Sequence, residues 1–231
     1  MLLCKSNASN YLLQKVHRYF DNVGTLTHPR NRQRSPHRGN SQKRSDHPHG
    51  RNRIRKDNAC VFLSVQMIFS HLRIYSEVPQ YLLESGISGT GAIAVTQPRR
   101  VAATSLASRV ALEQNGSSVG KLVGYSVRFD EKYSSETRIK YMTDGMIVQE
   151  LLSDPLLSRY SVVIVDEAHE RTLRTDLLLA NLKTILQKRR EGTQDRNKGK
   201  GKGKEESPGP LKIVVMSATL DAEKFSKFFH K

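Results

Sequence analysis

Residues Ser161–Val165 read Ser-Val-Val-Ile-Val, and Asp166-Glu167-Ala168-His169 follows with no spacer. A strand that is apolar and β-branched along its length leaves no face for water. It has to be covered on both sides, the situation of a parallel strand packed between helices. Leu211–Met216 (Leu-Lys-Ile-Val-Val-Met) has the same character and runs into Ser217-Ala218-Thr219. Ala92–Val95 leads into Thr96-Gln97-Pro98-Arg99-Arg100, and Arg138–Met142 into Thr143-Asp144-Gly145. Ligands of open parallel sheets bind outside the carboxyl ends of the strands, and all four polar clusters fall there. Thr, Ser and Asp are good helix N-caps, which accounts for Thr143, Asp144 or Asp221 taken singly. It does not account for two adjacent carboxylates and a histidine after a wholly apolar strand.

Helical patterns separate these runs. Pro98 suits the first turn of a helix, and Ala102, Leu106, Ala107 and Val110 form one stripe that ends near Gly116. Gly145–Leu152 predicts a short helix, and Thr175–Lys188 an amphipathic one carrying Leu177, Leu178, Leu182, Ile185 and Leu186. Asp221–Phe229 predicts a closing helix, and Val123–Phe129 a further strand. The alternation predicts an α/β domain with a mainly parallel sheet flanked by helices.

The rest of the sequence is of another kind. Residues 1–60 hold 13 Lys/Arg and 3 Asp/Glu, a large share of the chain's net charge of +16. The run from His28 to Lys56 has almost no apolar residues, so burial cannot offset its ordering entropy. We therefore expect a disordered basic segment over 1–58 and a folded unit over 59–231. A flexible basic loop is expected at about 191–210, where Gly199-Lys200-Gly201-Lys202-Gly203-Lys204 precedes Ser207-Pro208-Gly209-Pro210. The charge points to a polyanionic partner, most often nucleic acid. Cys4 and Cys60 are the only cysteines, which excludes a disulfide scaffold and a four-cysteine zinc site and suits a reducing compartment. No apolar stretch is long enough to cross a membrane as a helix, so no membrane association is expected.

The text Thr96–Ala103 (TQPRRVAA), Val123–Phe129 (VGYSVRF), Thr143–Met146 (TDGM), Asp166–Arg171 (DEAHER) and Ser217–Thr219 (SAT) resembles, in order and spacing, the first RecA-like lobe of a DEAH-box RNA helicase. Pro79–Gly86 (PQYLLESG) resembles the segment that follows the phosphate loop in that family, and the resemblance covers about Val78 to Lys231. It implies a RecA-like sheet of the P-loop NTPase type, with ATP and Mg²⁺ as cofactors and RNA as partner. By this resemblance Asp166 holds the metal ion and Glu167, also at the metal, activates the attacking water. His169 couples the nucleotide site to Ser217 and Thr219. Arg109 stacks on the adenine. Arg99 and Thr143 contact the RNA backbone, with Arg100 and Arg128 as weaker candidates. The nucleus or nucleolus, otherwise the cytoplasm, is the expected location. Protein partners in ribonucleoprotein or ribosome-biogenesis assemblies stay open.

The resemblance also shows what to expect missing. A phosphate loop needs glycines for close approach of backbone N–H groups and a lysine for charge. Counting back from Pro79 puts its lysine position at Ile74 and its Ser/Thr position at Tyr75, in a segment, Phe69–Ser76, that has no glycine. The Gly-Lys run at 199–204 is no substitute, since no hydrophobic strand precedes it. The sequence stops at Lys231, so the second lobe with its arginine finger is expected to be absent, as in a truncated or mis-joined chain. Cys60–Phe69 is the candidate for the central strand before the phosphate loop. A strand is expected near residues 60–68 and a helix from about Ser76–Pro79 to Leu83, with no anion pocket between them. ATP hydrolysis by this chain alone is therefore not expected. The rival reading is a non-catalytic basic module that holds RNA or a helicase partner. A P-loop GTPase or small kinase fails for want of a base-specificity loop and a phosphate-binding lysine.

Overall fold

A computed structural model describes residues 60–64, 71–114, 116, 118–198, 208–217 and 228–229. The basic segment expected over 1–58, the Gly-Lys run, Thr219 and most of the closing helix Asp221–Phe229 lie outside the described residues, as do positions 65–70, which hold part of the stretch between strand and helix where no anion pocket was expected.

The strands are β1 (Cys60–Ser64), β2 (Ala92–Gln97), β3 (Val123–Val127), β4 (Asp130–Lys132), β5 (Ile139–Thr143), β6 (Tyr160–Val165) and β7 (Lys212–Ser217). The helices are α1 (His71–Glu84), α2 (Arg100–Glu113), α3 (Asp144–Ser153) and α4 (Leu173–Lys198). One sheet takes the strands in the order β1-β7-β6-β2-β5-β3-β4. Every neighbouring pair is parallel except β3 with β4, which form a hairpin. The expected α/β, RecA-like sheet flanked by helices is what forms.

The pleat divides the apolar runs between two cores. Ile93, Val95, Val162, Ile164, Val214 and Met216 face one side, against Val78 and Leu82 of α1 and Leu106, Ala107 and Val110 of α2. Ala94, Val163, Val165, Ile213 and Val215 face the other, against Ile147 of α3 and Leu178, Leu182 and Ile185 of α4. Alternate residues of one strand thus serve opposite layers, which is why Val162–Val165 and Ile213–Met216 are apolar throughout. Phe229 joins the second core and meets Phe228 edge to face at 5.1 Å. Gly124 in β3 is required by close approach, because a Cβ there would stand 2.6 Å from the Lys132 carbonyl.

Several boundaries differ from the sequence expectation. α2 starts at Arg100 and not around Pro98. Gln97 still pairs with Thr143 in the sheet, so Pro98 is used in the turn between strand and helix. β3 stops at Val127, and Arg128-Phe129 form a two-residue hairpin turn with Phe129 at φ 67°. α4 continues to Lys198, into the loop expected from about residue 191. The apolar stripe ends near Leu186, but beyond Gly192 no glycine or proline interrupts the chain before Gly199, and an existing helix propagates cheaply.

β1 does form within the expected decamer, yet it lies at the edge of the sheet among the described residues. It pairs with β7, Cys60 opposite Ile213 and Ser64 opposite Ser217. The central position expected for it is not observed, because β7 stands between β1 and β6. α1 begins at His71, earlier than the expected 76–79, and carries Pro79 inside it. Phe69–Ser76 has no glycine for the tight turn of a phosphate loop, and its described part, from His71 on, is helix.

Candidate functional site

The parallel register brings the polar clusters to one edge. Gln97 lies opposite Thr143, Thr96 opposite Val165, and Val165 opposite Val215. Asp166 continues β6 by donating its N–H to the Thr96 carbonyl at 3.3 Å. Its carboxylate is buried. One oxygen accepts from the Glu167 N–H at 2.7 Å, and the other from the side-chain amide of Gln97. Burial, with the Glu167 charge adding to it, holds the Asp166 carboxyl well above its ordinary pKa.

Glu167 has φ 51° and Arg171 φ 46°, both left-handed, and a 3₁₀ turn (Ala168–Glu170) lies between them. Non-glycine residues are rarely held in this region, and when they are it is often at functional sites. Glu167 Oε1 accepts from the Tyr75 hydroxyl at 3.3 Å, and Oε2 lies 3.2 Å from His169 Nδ1. Tyr75 comes from α1 and is largely buried; burial first, then the charges of Asp166 and Glu167, push its phenol far above its ordinary pKa.

A pocket of about 530 Å³ opens over this cluster, with Tyr75, Arg99, Arg109, Glu167, His169 and Glu170 in its wall. Arg109 Nε bonds Glu113 one turn along α2 at 2.8 Å, and Arg99 reaches Glu170 at 3.2 Å. Such exposed pairs are weak, so either guanidinium can exchange its partner for a ligand.

The structure therefore gathers Glu167, His169, Arg109 and Arg99, with Asp166 buried just beneath. It does not bring all expected residues there. Arg100 is exposed at the start of α2 and does not line the pocket. Thr143 is buried at the N-cap of α3 and its side chain makes no capping bond. Arg128 is exposed at the hairpin tip, its guanidinium 4.8 Å from the centre of the Phe129 ring. Ser217 ends β7, buried and opposite Ser64. Three partners escaped the sequence reading: Gln97, Glu170 and Phe129, the last 89% exposed. Each stands inside a motif that the resemblance rests on, which was the available signal.

Magnesium fits this arrangement poorly. It wants near-octahedral oxygen ligation and keeps several waters. Here both Asp166 oxygens accept hydrogen bonds, and the Glu167 oxygens face Tyr75 and His169. Among the described residues no group of three or more His, Cys, Asp or Glu could hold a metal ion. At the position where the resemblance expects the phosphate-loop lysine the sequence has Ile74, which carries no charge.

No protein-family model matches the chain. Curated relatives do. It is 53% identical over 156 residues to the ATP-dependent RNA helicase DHX33 of Mus musculus, which covers 68% of this chain and 20% of that protein. It is 48% identical over 158 residues to the probable ATP-dependent RNA helicase DHR2 of Saccharomyces cerevisiae, covering 67% and 19%. The probable ATP-dependent RNA helicase DHX40 of Homo sapiens is 47% identical over 154 residues, covering 67% and 18%. The chain thus spans about one fifth of the length of the relatives it matches. With motif order, sheet topology and these identities in agreement, the chain belongs, over that partial region, to the DEAH-box ATP-dependent RNA helicase family.

Proposed function

We propose that this chain is an RNA-binding lobe on the helicase scaffold that does not itself hydrolyse ATP. One observation supports the reading: the strand ends of the sheet carry the family-like motifs, while counting back from Pro79 gives Ile74 and Tyr75, both within α1, at the lysine and Ser/Thr positions of a phosphate loop. In the complete family, ATP hydrolysis drives remodelling of RNA. Here Arg99, exposed at the rim, serves the RNA backbone, with Thr143 at the neighbouring strand end and Arg100 and Arg128 further out. Arg109 keeps its place in the pocket, where a guanidinium plane can stack on a base. Asp166 and Glu167 hold the fold of the strand end and supply no hydrolytic step. His169, Ser217 and Thr219 are assigned the coupling role by their motifs. The cysteine content suits a nuclear or cytoplasmic setting.

Phosphate contacts are independent of sequence and release counterions, so affinity falls linearly in log units with log salt. Fluorescence anisotropy with unrelated single-stranded RNAs is expected to give similar affinities that drop steeply with salt. Deleting residues 1–60 should weaken binding, and Arg99→Ala should lower the salt slope by about one. The same preparations are expected to show no RNA-stimulated ATPase. Salt-insensitive binding, no loss on deleting residues 1–60, or turnover abolished by Glu167→Gln would sink the reading.

A further inference from the structure

We propose that the Tyr75 hydroxyl stands in the place of a divalent cation beside Glu167, so that this lobe's carboxylate pair is closed to metal by a side chain of its own fold. The inference deepens the reading above and rests on it only for the register that puts Tyr75 at the Ser/Thr position of a phosphate loop.

The geometry supplies the rest. A serine or threonine hydroxyl at that position sits one carbon from the backbone and leaves a gap to the carboxylates, which an ion and its waters fill. A tyrosine hydroxyl sits a whole ring further out and spans that gap. Tyr75 is 7% exposed and belongs to the core between α1 and the sheet, while it also lines the pocket over Glu167. Its hydroxyl reaches Glu167 Oε1 at 3.3 Å, while His169 Nδ1 faces Oε2 at 3.2 Å. Beneath them Asp166 is 1% exposed, and its two oxygens accept from Gln97 and from the Glu167 backbone. Each carboxylate oxygen of the pair already has a protein neighbour that presents a nitrogen or a hydroxyl.

The phenol suits this task. A tyrosine phenol ordinarily titrates at about pH 10, so at neutral pH it is a neutral donor. A neutral donor satisfies the carboxylate without a second charge. Magnesium would have to displace it while giving up water of its own, which that ion does reluctantly. Two adjacent carboxylates, which repel when no ion lies between them, are thereby kept in place: one buried and hydrogen-bonded, one bridged to α1 across 92 residues of sequence.

The test uses the full chain and Mn²⁺ alone, without nucleotide, with free Mn²⁺ followed by electron paramagnetic resonance. In the wild-type protein any weak Mn²⁺ binding should be unchanged by Glu167→Gln. Tyr75→Phe keeps the ring in the core and removes only the hydroxyl. It is expected to bind Mn²⁺ about tenfold tighter or more, the scale of one lost hydrogen bond to a charged group, and Glu167→Gln in that background should abolish the gain. Tyr75→Thr should gain further where circular dichroism shows it folded. Wild-type binding that Glu167→Gln removes overturns the proposal, and so does a folded Tyr75→Phe with wild-type affinity. RNA titrations on the same samples separate the two ideas. Loss of salt-dependent RNA binding defeats the functional reading and leaves the Mn²⁺ comparison standing. Metal binding by the wild type defeats the present proposal and leaves RNA binding standing.

Discussion

The Tyr141 hydroxyl donates to the backbone carbonyl of Tyr75 at 3.2 Å, in the buried layer between β5 and α1. That carbonyl lies four residues before Pro79, which sits inside α1 and has no N–H to offer it. A side chain from the sheet supplies the donor that the helix lacks. The same bond fixes the turn of α1 from which the Tyr75 side chain reaches Glu167.

Tyr141→Phe should therefore cost about 1–3 kcal/mol, the penalty for leaving a buried carbonyl without its donor. Urea unfolding measures it. In a Pro79→Ala background the helix can supply its own N–H, so the cost of Tyr141→Phe should shrink. Equal costs in the two backgrounds would show that Tyr141 stabilises by packing alone.

Arg189 anchors the loop that feeds β6. Arg189 is 2% exposed, and its guanidinium donates to the Tyr160 carbonyl at 2.8 Å and the Leu157 carbonyl at 3.0 Å. Leu157 is held at φ 49°, a left-handed conformation that a side chain disfavours. Burial lowers the Arg189 pKa to about 10, which still leaves it charged at neutral pH. Arg189→Met removes both donors, leaving the Leu157 carbonyl only the Tyr160 N–H at 2.9 Å, and should destabilise by about 2–4 kcal/mol, because two hydrogen bonds from a charged group are lost. Arg189→Lys should recover part of the loss. A methionine variant as stable as the wild type would refute the anchoring role.

Asp144, the first residue of α3, is buried and accepts from the Thr175 hydroxyl at 2.5 Å. Burial raises its pKa above the ordinary 3.8. The folded state then binds more protons than the unfolded state in the window above 3.8, so its stability contribution is full below that pH and is lost as pH rises through the folded value. Asp144→Asn keeps an acceptor for Thr175 and removes the titration. Its stability should fall less steeply with rising pH than that of the wild type, and at neutral pH it should be the more stable. Parallel stability curves for the two proteins would contradict this.

The sequence by itself determined the local features. Val162–Val165 and Ile213–Met216 had to be buried strands because they offer no polar face, and each announced the polar cluster at its end. The identity of Asp166, Glu167 and His169 as one cluster follows from their adjacency. The start of α1 at His71 and the reach of α4 to Lys198 were less legible, because nothing in short polar stretches competes strongly with an existing helix. What only the tertiary structure decided is which residues separated along the chain meet. Gln97 bonds Asp166 across 69 residues, Tyr75 bonds Glu167 across 92, and Tyr141 serves the carbonyl opposite Pro79 across 66. It also decided that β7 lies between β1 and β6. Strand order and such contacts depend on how layers stack once the apolar faces are covered, and a one-dimensional pattern of apolar and polar residues fixes which face is buried but not which partner covers it.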